Sequence, residues 1–316
     1  MSDDADNAGE FNPLHHPAIF STPRMLSAES AWVSHVPLAY FMIELARPRV
    51  LVELGTHRGD SYCAFCQAVA QLQLPTRCYA IDTWRGDPQA GFYGAEVLKS
   101  LKAHHDPIYS GFSTLMQTDF DSAVTQFADA SIDLLHLDGH HTYDSVRHDF
   151  QTWLPKMSQR GVMLFHDTNV RNRATFGVFR LWEEVSAKYP SFELPYGFGL
   201  GIAAVGAEPP PEVLRFLHSA QSNADAVRKF FYEMGLRVIE MQVLLRTSEQ
   251  LIGQWNVLSQ WRQATRQPAL AQINISEIFQ NPEPLARAIT QHLTHLAQND
   301  LKLRQHLAPS AQPPAS

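Results

Sequence analysis

Cysteine is scarce in this chain: Cys63, Cys66 and Cys78 are the only three among 316 residues. An odd, low count excludes a disulfide framework and fits a reducing cytoplasm. Cys63 and Cys66 stand as C-x-x-C, but within a stretch of helical patterning, where small buried thiols are ordinary and a redox or metal role is not expected. No apolar run reaches the ~18 residues of a membrane span. The opening MSDDADNAGE is acidic and polar, where a signal peptide would start basic and turn apolar. Basic runs are missing as well. With 25 Lys and Arg against 32 Asp and Glu, the formal net charge is −7, which speaks against nucleic acid and anionic membrane as partners. No internal repeat is found. Apolar side chains are plentiful at 45%, enough for a sizeable core.

The chain is organised around Arg49 to Asp60, RVLVELGTHRGD. Val50 to Leu54 read as a short strand buried on both faces, with Glu53 its one polar residue. Gly55 and Gly59 bracket a tight turn, and Tyr62 to Leu72 are apolar enough for a helix packed on a sheet. Strand, glycine turn and helix together bring backbone N–H groups and a helix N-terminus up to a ligand. A dinucleotide fold places three glycines here, as G-x-G-x-x-G. The third is lacking, and the frame is E-x-G-x-x-x-G. It resembles motif I of class I S-adenosylmethionine (SAM)-dependent methyltransferases, whose glycine turn lies against the amino-acid end of a sulfonium cofactor. The resemblance makes Glu53, Gly55, Thr56 and Gly59 cofactor-binding candidates.

The rest of the chain suits an open α/β sheet. Ser27 to Leu45 read as a helix capped by Ser27 or Ser30, with Trp32 and His35 on its way to the cleft and Trp32 expected in the core. Cys78 to Ile81 form a second strand ending at Asp82, where an acid offers acceptor oxygens to a ribose diol. Thr83, Trp84 and the glycines and aromatics through Gly94 read as a cleft rim, with Thr83 and Trp84 beside the cofactor. Thr114 to Gln117 read as a third strand, followed by Asp119 and Asp121; an acid here, Asp119 the first candidate, is placed to accept from an adenine amine. Phe127 and Ala128 are assigned to the next short helix. Ser131 to Asp138 form a fourth strand opening into DGHHTYDSVRHDF and a helix to about Leu154, and Val162 to His166 a fifth ending at Asp167. Two strands thus deliver acids to one carboxyl edge, where such folds bind ligands. A helix over Phe176 to Tyr189, with Phe179 and Trp182 inward, precedes two strands, Phe192 to Leu194 and Gly201 to Val205, joined by a hairpin loop.

Pro209 to Pro211 mark a boundary. Beyond it, Val227, Phe231, Met234, Val238, Met241, Leu245, Ile252 and Trp255 follow 4-3 spacing, a stripe for a helix packed along the domain or for a homodimer seam, with Gly235 a weak point. Gln263 to Asn274 read as loop and Pro284 to Leu307 as a further helix. The expected organisation is a flexible segment 1–26, a domain 27–208, a helical extension 212–307 and a tail 308–316.

Glu53-x-Gly55, Asp82-Thr-Trp, Asp138-Gly-x-His141-x-Tyr143 and His166-Asp167-Thr168 occur in an order and spacing that resembles the class I methyltransferases related to macrocin O-methyltransferase and cephalosporin-hydroxylase-like proteins. The resemblance covers about Arg49 to Val205. It implies a Rossmann-like, mostly parallel sheet closed by an antiparallel hairpin, carrying a helical extension outside the match. It also implies SAM and methyl transfer to a sugar or other small hydroxylated acceptor. Relatives commonly hold Mg²⁺ or another divalent cation with an acid after strand four and an acidic pair after strand five. Here the ligands become Asp138 and Asp167, with His141 completing the site or serving as base; His166 and Thr168 break the acidic pair. A hydroxyl hardly ionises at neutral pH, so the transfer needs such a base or cation, and Asp138 and His141 are the catalytic candidates. A non-catalytic SAM-binding scaffold and a metal-dependent hydroxylase on the same frame are the alternatives.

Overall fold

The computed structural model describes residues 11–27, 30–87, 89 and 91–264. In chain order these form α1 (Val36–Ala46), β1 (Val50–Leu54), α2 (Asp60–Gln71), β2 (Arg77–Asp82), β3 (Gly86–Asp87), β4 (Gly91–Phe92), α3 (Ala95–Tyr109), β5 (Ser113–Gln117), α4 (Phe120–Val124) and β6 (Ile132–Leu137). There follow α5 (Tyr143–Trp153), β7 (Met157–His166), α6 (Val178–Ser186), β8 (Ser191–Leu194), β9 (Leu200–Ala204), α7 (Pro211–Ser222) and α8 (Ala224–Ala264). Seven strands make one sheet in the order β5-β2-β1-β6-β7-β9-β8. The first five run parallel, and β9 is antiparallel to both its neighbours. This is the expected Rossmann-like sheet with its closing hairpin. The strand order reverses outward from β1, so the carboxyl ends of β1, β2 and β6 open onto one crevice.

The central strands are apolar on both faces because both faces are covered. Leu51, Leu134 and Leu164 face a core built with α1, α2, α7 and the start of α8. Val52, Leu135 and Met163 face a second core with α4, α5 and α6. Cys63, Cys66 and Cys78 are free thiols, all buried, as expected.

Several boundaries differ from the sequence reading. The first helix does not start at Ser27. A 3-10 turn at Trp32–His35 leads into α1, and Ser27 instead binds Asp60, through its N–H at 2.6 Å and its hydroxyl at 2.6 Å. Nothing was assigned to residues 95–110, where α3 forms with a buried stripe of Val97, Leu98, Leu101 and His105. The short helix after β5 is Phe120–Val124, capped by Asp119, so Phe127 and Ala128 lie beyond it. Phe179 sits half-buried under Arg171 rather than inward, while Trp182 is in the core.

The chain divides into two compact units, Met1–Glu249 and Gln250–Ser316. Within the first, Val227, Phe231, Met234 and Val238 of α8 are buried against the domain. Gly235 is no weak point there: a Cβ on it would lie 2.4 Å from the carbonyl oxygen of Ser34, so its lack of a side chain permits the contact. In the second unit residues 250–264 are helical, including Gln263 and Ala264, where the polar sequence predicts a loop. The expected flexible start, the remaining loop to Asn274, the helix Pro284 to Leu307 and the tail fall on residues 1–10 and 265–316, outside the described residues. No described helix is long and apolar enough to cross a membrane.

Candidate active site

Gly55 sets the floor of the crevice. Its φ is +89°, and a Cβ on it would lie 1.9 Å from the carbonyl oxygen of Asp138. Only glycine lets the turn after β1 press against the end of β6. The turn is held from the side by Asp82. One carboxylate oxygen accepts the His57 N–H at 2.8 Å and the other the Trp84 N–H at 2.7 Å. An ionised carboxylate has acceptor capacity left over for two further donors. Burial pushes the Asp82 carboxyl up, and these backbone donors oppose the rise. Trp84 closes the arrangement from behind, its indole N–H donating to the His57 carbonyl at 2.8 Å.

Glu53 lies beneath this turn, fully buried. Strand alternation turns it to the face opposite Val52 and Leu54, opposite His136 in the β1–β6 register. His136 Nδ1–H donates to it at 2.8 Å, and His136 Nε2 accepts the Trp32 indole N–H at 3.2 Å. That chain of bonds fixes the imidazole tautomer and explains why Trp32 belongs to the core. Burial holds the Glu53 carboxyl above its usual range despite His136.

At the other end of the crevice, Asp138, His141 and Asp167 converge, with one ligand atom from each within 4.8 Å of the others. His141 Nε2 lies 2.9 Å from Asp167 Oδ2. Its ring stacks on Phe176, centroids 4.5 Å apart and planes 4° from parallel. Gln89 fixes its tautomer. The amide oxygen accepts the His141 backbone N–H at 3.0 Å and faces ring Nδ1 at 3.1 Å, while the amide nitrogen donates to the Thr175 carbonyl at 3.3 Å. The amide cannot be reversed without losing both backbone bonds, so Nδ1 carries a proton. Nε2 then points its lone pair at a carboxylate oxygen, and the pair needs a proton or a cation between them. Two carboxylates and an imidazole so directed fit a divalent cation that completes its shell with water or hydroxyl oxygens.

His166 adds a fixed charge. Its Nδ1 meets Asp138 at 3.1 Å and its Nε2 the Gly197 carbonyl at 3.1 Å. Two acceptors require two N–H donors, hence an imidazolium. Burial opposes that charge, but Asp138 and Asp167 more than reverse it and hold His166 well above the usual histidine range. Burial would likewise raise both carboxyls, and the imidazolium keeps them below their ordinary value. His35 shares the Gly197 carbonyl at 3.1 Å; burial and the neighbouring His166 push it down to about 3, so it is neutral. Asp167 holds a left-handed backbone, φ +61°, unusual for a residue other than glycine.

A cavity of 790 Å³ runs along this edge. Of the sequence candidates, Gly55, Asp82, Thr83, Asp119, Asp138 and His141 line it. Glu53, Thr56, Gly59, Trp84 and Asp167 do not; they stand behind the lining. Asp119 caps α4, accepting the Ser122 N–H at 2.8 Å on one carboxylate oxygen and its hydroxyl at 2.9 Å on the other. The rim expected over residues 83–94 is present, with the β3–β4 hairpin bringing Gly86, Phe92 and Tyr93 to the cavity.

Residues 52–168 match a protein-family model described as a methyltransferase domain. The match begins in β1 and ends just past Asp167, so it takes in every strand end that builds the cavity. The uncharacterized protein y4gI of Sinorhizobium fredii (strain NBRC 101917 / NGR234) is 46% identical over 204 residues, which are 65% of this chain and 22% of that protein. The chain therefore spans under a quarter of the curated relative it matches. Among solved structures it is similar to the O-methyltransferase TomG of Streptomyces achromogenes in complex with SAM, involved in tomaymycin synthesis, with TM-score 0.42, 14% identity, and 62% of this chain and 91% of that one covered. It is similar also to the methyltransferase PaMTH1 of Podospora anserina bound to SAH, with TM-score 0.41, 12% identity, and 53% and 76% covered.

Sequence reasoning missed two participants. Gln89 sits in a stretch with no motif of its own. His166 was read only as interrupting an acidic pair, although a histidine between two strand-end acids is itself a signal for a buried cation.

Proposed function

We propose that this protein is a SAM-dependent O-methyltransferase acting on a hydroxyl of a sugar or other small hydroxylated acceptor. The observation that carries the reading is the single cavity joining the Gly55 turn, the Asp82 carboxylate and the Asp138–His141 edge. SAM, when bound, supplies a methyl group on a positively charged sulfur, ready for in-line displacement by an oxygen. Asp82 would accept from the two ribose hydroxyls, and the Gly55 turn would hold the amino-acid end. Once the proton it shares with Asp167 has left, His141 takes the acceptor's hydroxyl proton at Nε2, and Asp167 stabilises the imidazolium that results. Gln89 holds Nδ1–H throughout, so the ring presents one nitrogen only. The oxygen freed of its proton forms the new C–O bond as the C–S bond breaks, and the products are the methyl ether, S-adenosylhomocysteine (SAH) and one proton.

A second reading is favoured by the convergence of three ligand atoms within 4.8 Å. Asp138 and Asp167, with His141 as third ligand, would hold a divalent cation, which lowers the pKa of a coordinated hydroxyl. His141 is then ligand rather than base.

Incubating the purified chain with methyl-labelled SAM and an extract of its own cell tests the proposal. Label recovered in a neutral hydroxylated small molecule, with a mass gain of one methylene, supports it. SAM bound without any transfer would instead support the non-catalytic scaffold, and an oxygenated product without label a hydroxylase.

A further inference from the structure

The far end of the cavity, between α4 and α5, holds a carboxyl group with no partner among the described residues. Asp119 caps α4 through two bonds from Ser122, and Asp121 pairs with His148 at 2.7 Å. Asp144 is exposed. Asp149, half-buried on the same wall of the cavity, has no hydrogen bond or ion pair among the described residues. The ring of Phe120 packs directly on Gly139: a Cβ there would lie 2.5 Å from the ring and 3.5 Å from Asp149 Oδ2, so the lack of a side chain lets ring and carboxyl border the same stretch of cavity wall. An aromatic ring and a carboxyl group side by side on that wall suit a flat heterocycle with a polar edge.

We propose that Asp149 reads the purine base of the cofactor, donating from its carboxylic-acid O–H to ring nitrogen N1 and accepting from the exocyclic amine on its other oxygen. The inference rests on the cofactor assignment above. It deepens that assignment by naming the base-recognising residue, on α5 rather than after the third parallel strand. The edge of adenine offers one acceptor and one donor side by side, and a neutral carboxyl is their complement; a carboxylate cannot donate to N1. The acid form is within reach, because burial pushes Asp149 up to about 6. Of the charged groups around it, His148 on its own helix favours ionisation and Asp121 on α4 opposes it. Phe120 and Gly139 bring no charge.

Calorimetric titration of SAH into the full chain, in buffers of differing ionisation enthalpy, tests this. At pH 7.5 the wild type should take up close to one proton per SAH bound, and its affinity should fall about tenfold per unit as pH rises from 7 to 8. Asp149→Asn offers the same donor and acceptor without titrating, so it should bind with no proton uptake and no such slope. Asp149→Ala should bind at least about tenfold more weakly. Binding of SAH to the wild type without proton uptake, or equal affinity in Asp149→Ala, overturns the role of Asp149 and leaves the cofactor assignment standing. Failure of the wild type to bind SAH at all overturns both.

Discussion

Three glycines with left-handed backbone form a graded test of the packing at the site. Gly91 has φ +87°, and among the described residues a Cβ there meets nothing within 4 Å. Gly59 also has φ +87°, but a Cβ would lie 2.4 Å from the tip of Leu101, a flexible side chain. Gly55 has φ +89°, and its Cβ would overlap the backbone of Asp138, at 1.9 Å from oxygen and 2.6 Å from carbon. Replacing each with alanine separates conformational strain from steric overlap. Gly91→Ala should cost only the left-handed penalty, about 1 kcal/mol. Gly59→Ala adds an off-rotamer Leu101 and should cost roughly 2 kcal/mol. Gly55→Ala must push apart two backbone segments tied by the Asp138 N–H to Leu54 bond at 2.9 Å, while the Gly55 N–H to Ile81 bond at 2.9 Å holds the turn to β2 and keeps it from yielding. It should cost at least about 3 kcal/mol and abolish cofactor binding, because Asp138 moves with the strand end. Urea unfolding of the three variants gives the order directly. A Gly55→Ala protein as stable as Gly91→Ala would mean that the turn does not press against β6.

Four further outcomes are expected. His141→Ala should leave SAH affinity unchanged while lowering turnover by ~10²–10⁴ if His141 is the base; near-full turnover on the true acceptor excludes that role. EDTA, or Asp167→Ala, should abolish turnover if a divalent cation is held at Asp138 and Asp167, and a wild type fully active in EDTA removes the cation. Asp133 is buried and would be raised by that, but Arg49, in bonds at 2.9 Å, and Ser158 hold it down at about 2. Its folded pKa is thus below the unfolded value near ~3.9, so its contribution of about 2 kcal/mol is complete above that pH and lost as pH falls toward 2; urea midpoints of Asp133→Asn should show a shallower acid limb. Val243, Leu244 and Leu245 are exposed on α8, and a homodimer through that face should appear in light scattering at twice the chain mass; a monomer at tens of micromolar refutes it.

The fold was legible because its signals are local. Short apolar runs leading into Gly55, Asp82 and Asp138 locate β1, β2 and β6 to within a residue, and the run before Asp167 locates the end of β7, whose start at Met157 lies five residues before the expected Val162. The first helix was misjudged because Ser27 looks like a cap, whereas its hydroxyl is drawn off by Asp60, a partner 33 residues away. The α3 helix was passed over because its stripe is broken by Lys102 and by three consecutive polar residues, His104 to Asp106. At the site, spacing put Asp138, His141 and Asp167 on one edge, where their ligand atoms converge, since Asp138 and Asp167 follow strand ends and His141 lies in the loop after β6. Spacing could not say that Glu53 turns away from the cavity or that Trp84 clamps a turn, because those depend on which face a side chain takes. Nor could it join Gln89 to His141, a contact across 52 residues made by a hairpin with no sequence pattern of its own.

Among the described residues six aspartates line the cavity, Asp82, Asp119, Asp121, Asp138, Asp144 and Asp149, and no lysine or arginine does. That surplus of negative charge tells apart the two forms of the proposed cofactor. The methyl donor carries a positive sulfur; its spent form is a neutral thioether of nearly the same shape. The net charge of the wall attracts the first and leaves the second to its hydrogen bonds alone, so product inhibition should be weakest in dilute buffer. Added salt screens the exposed carboxylates and lets the spent form compete more evenly for the cavity.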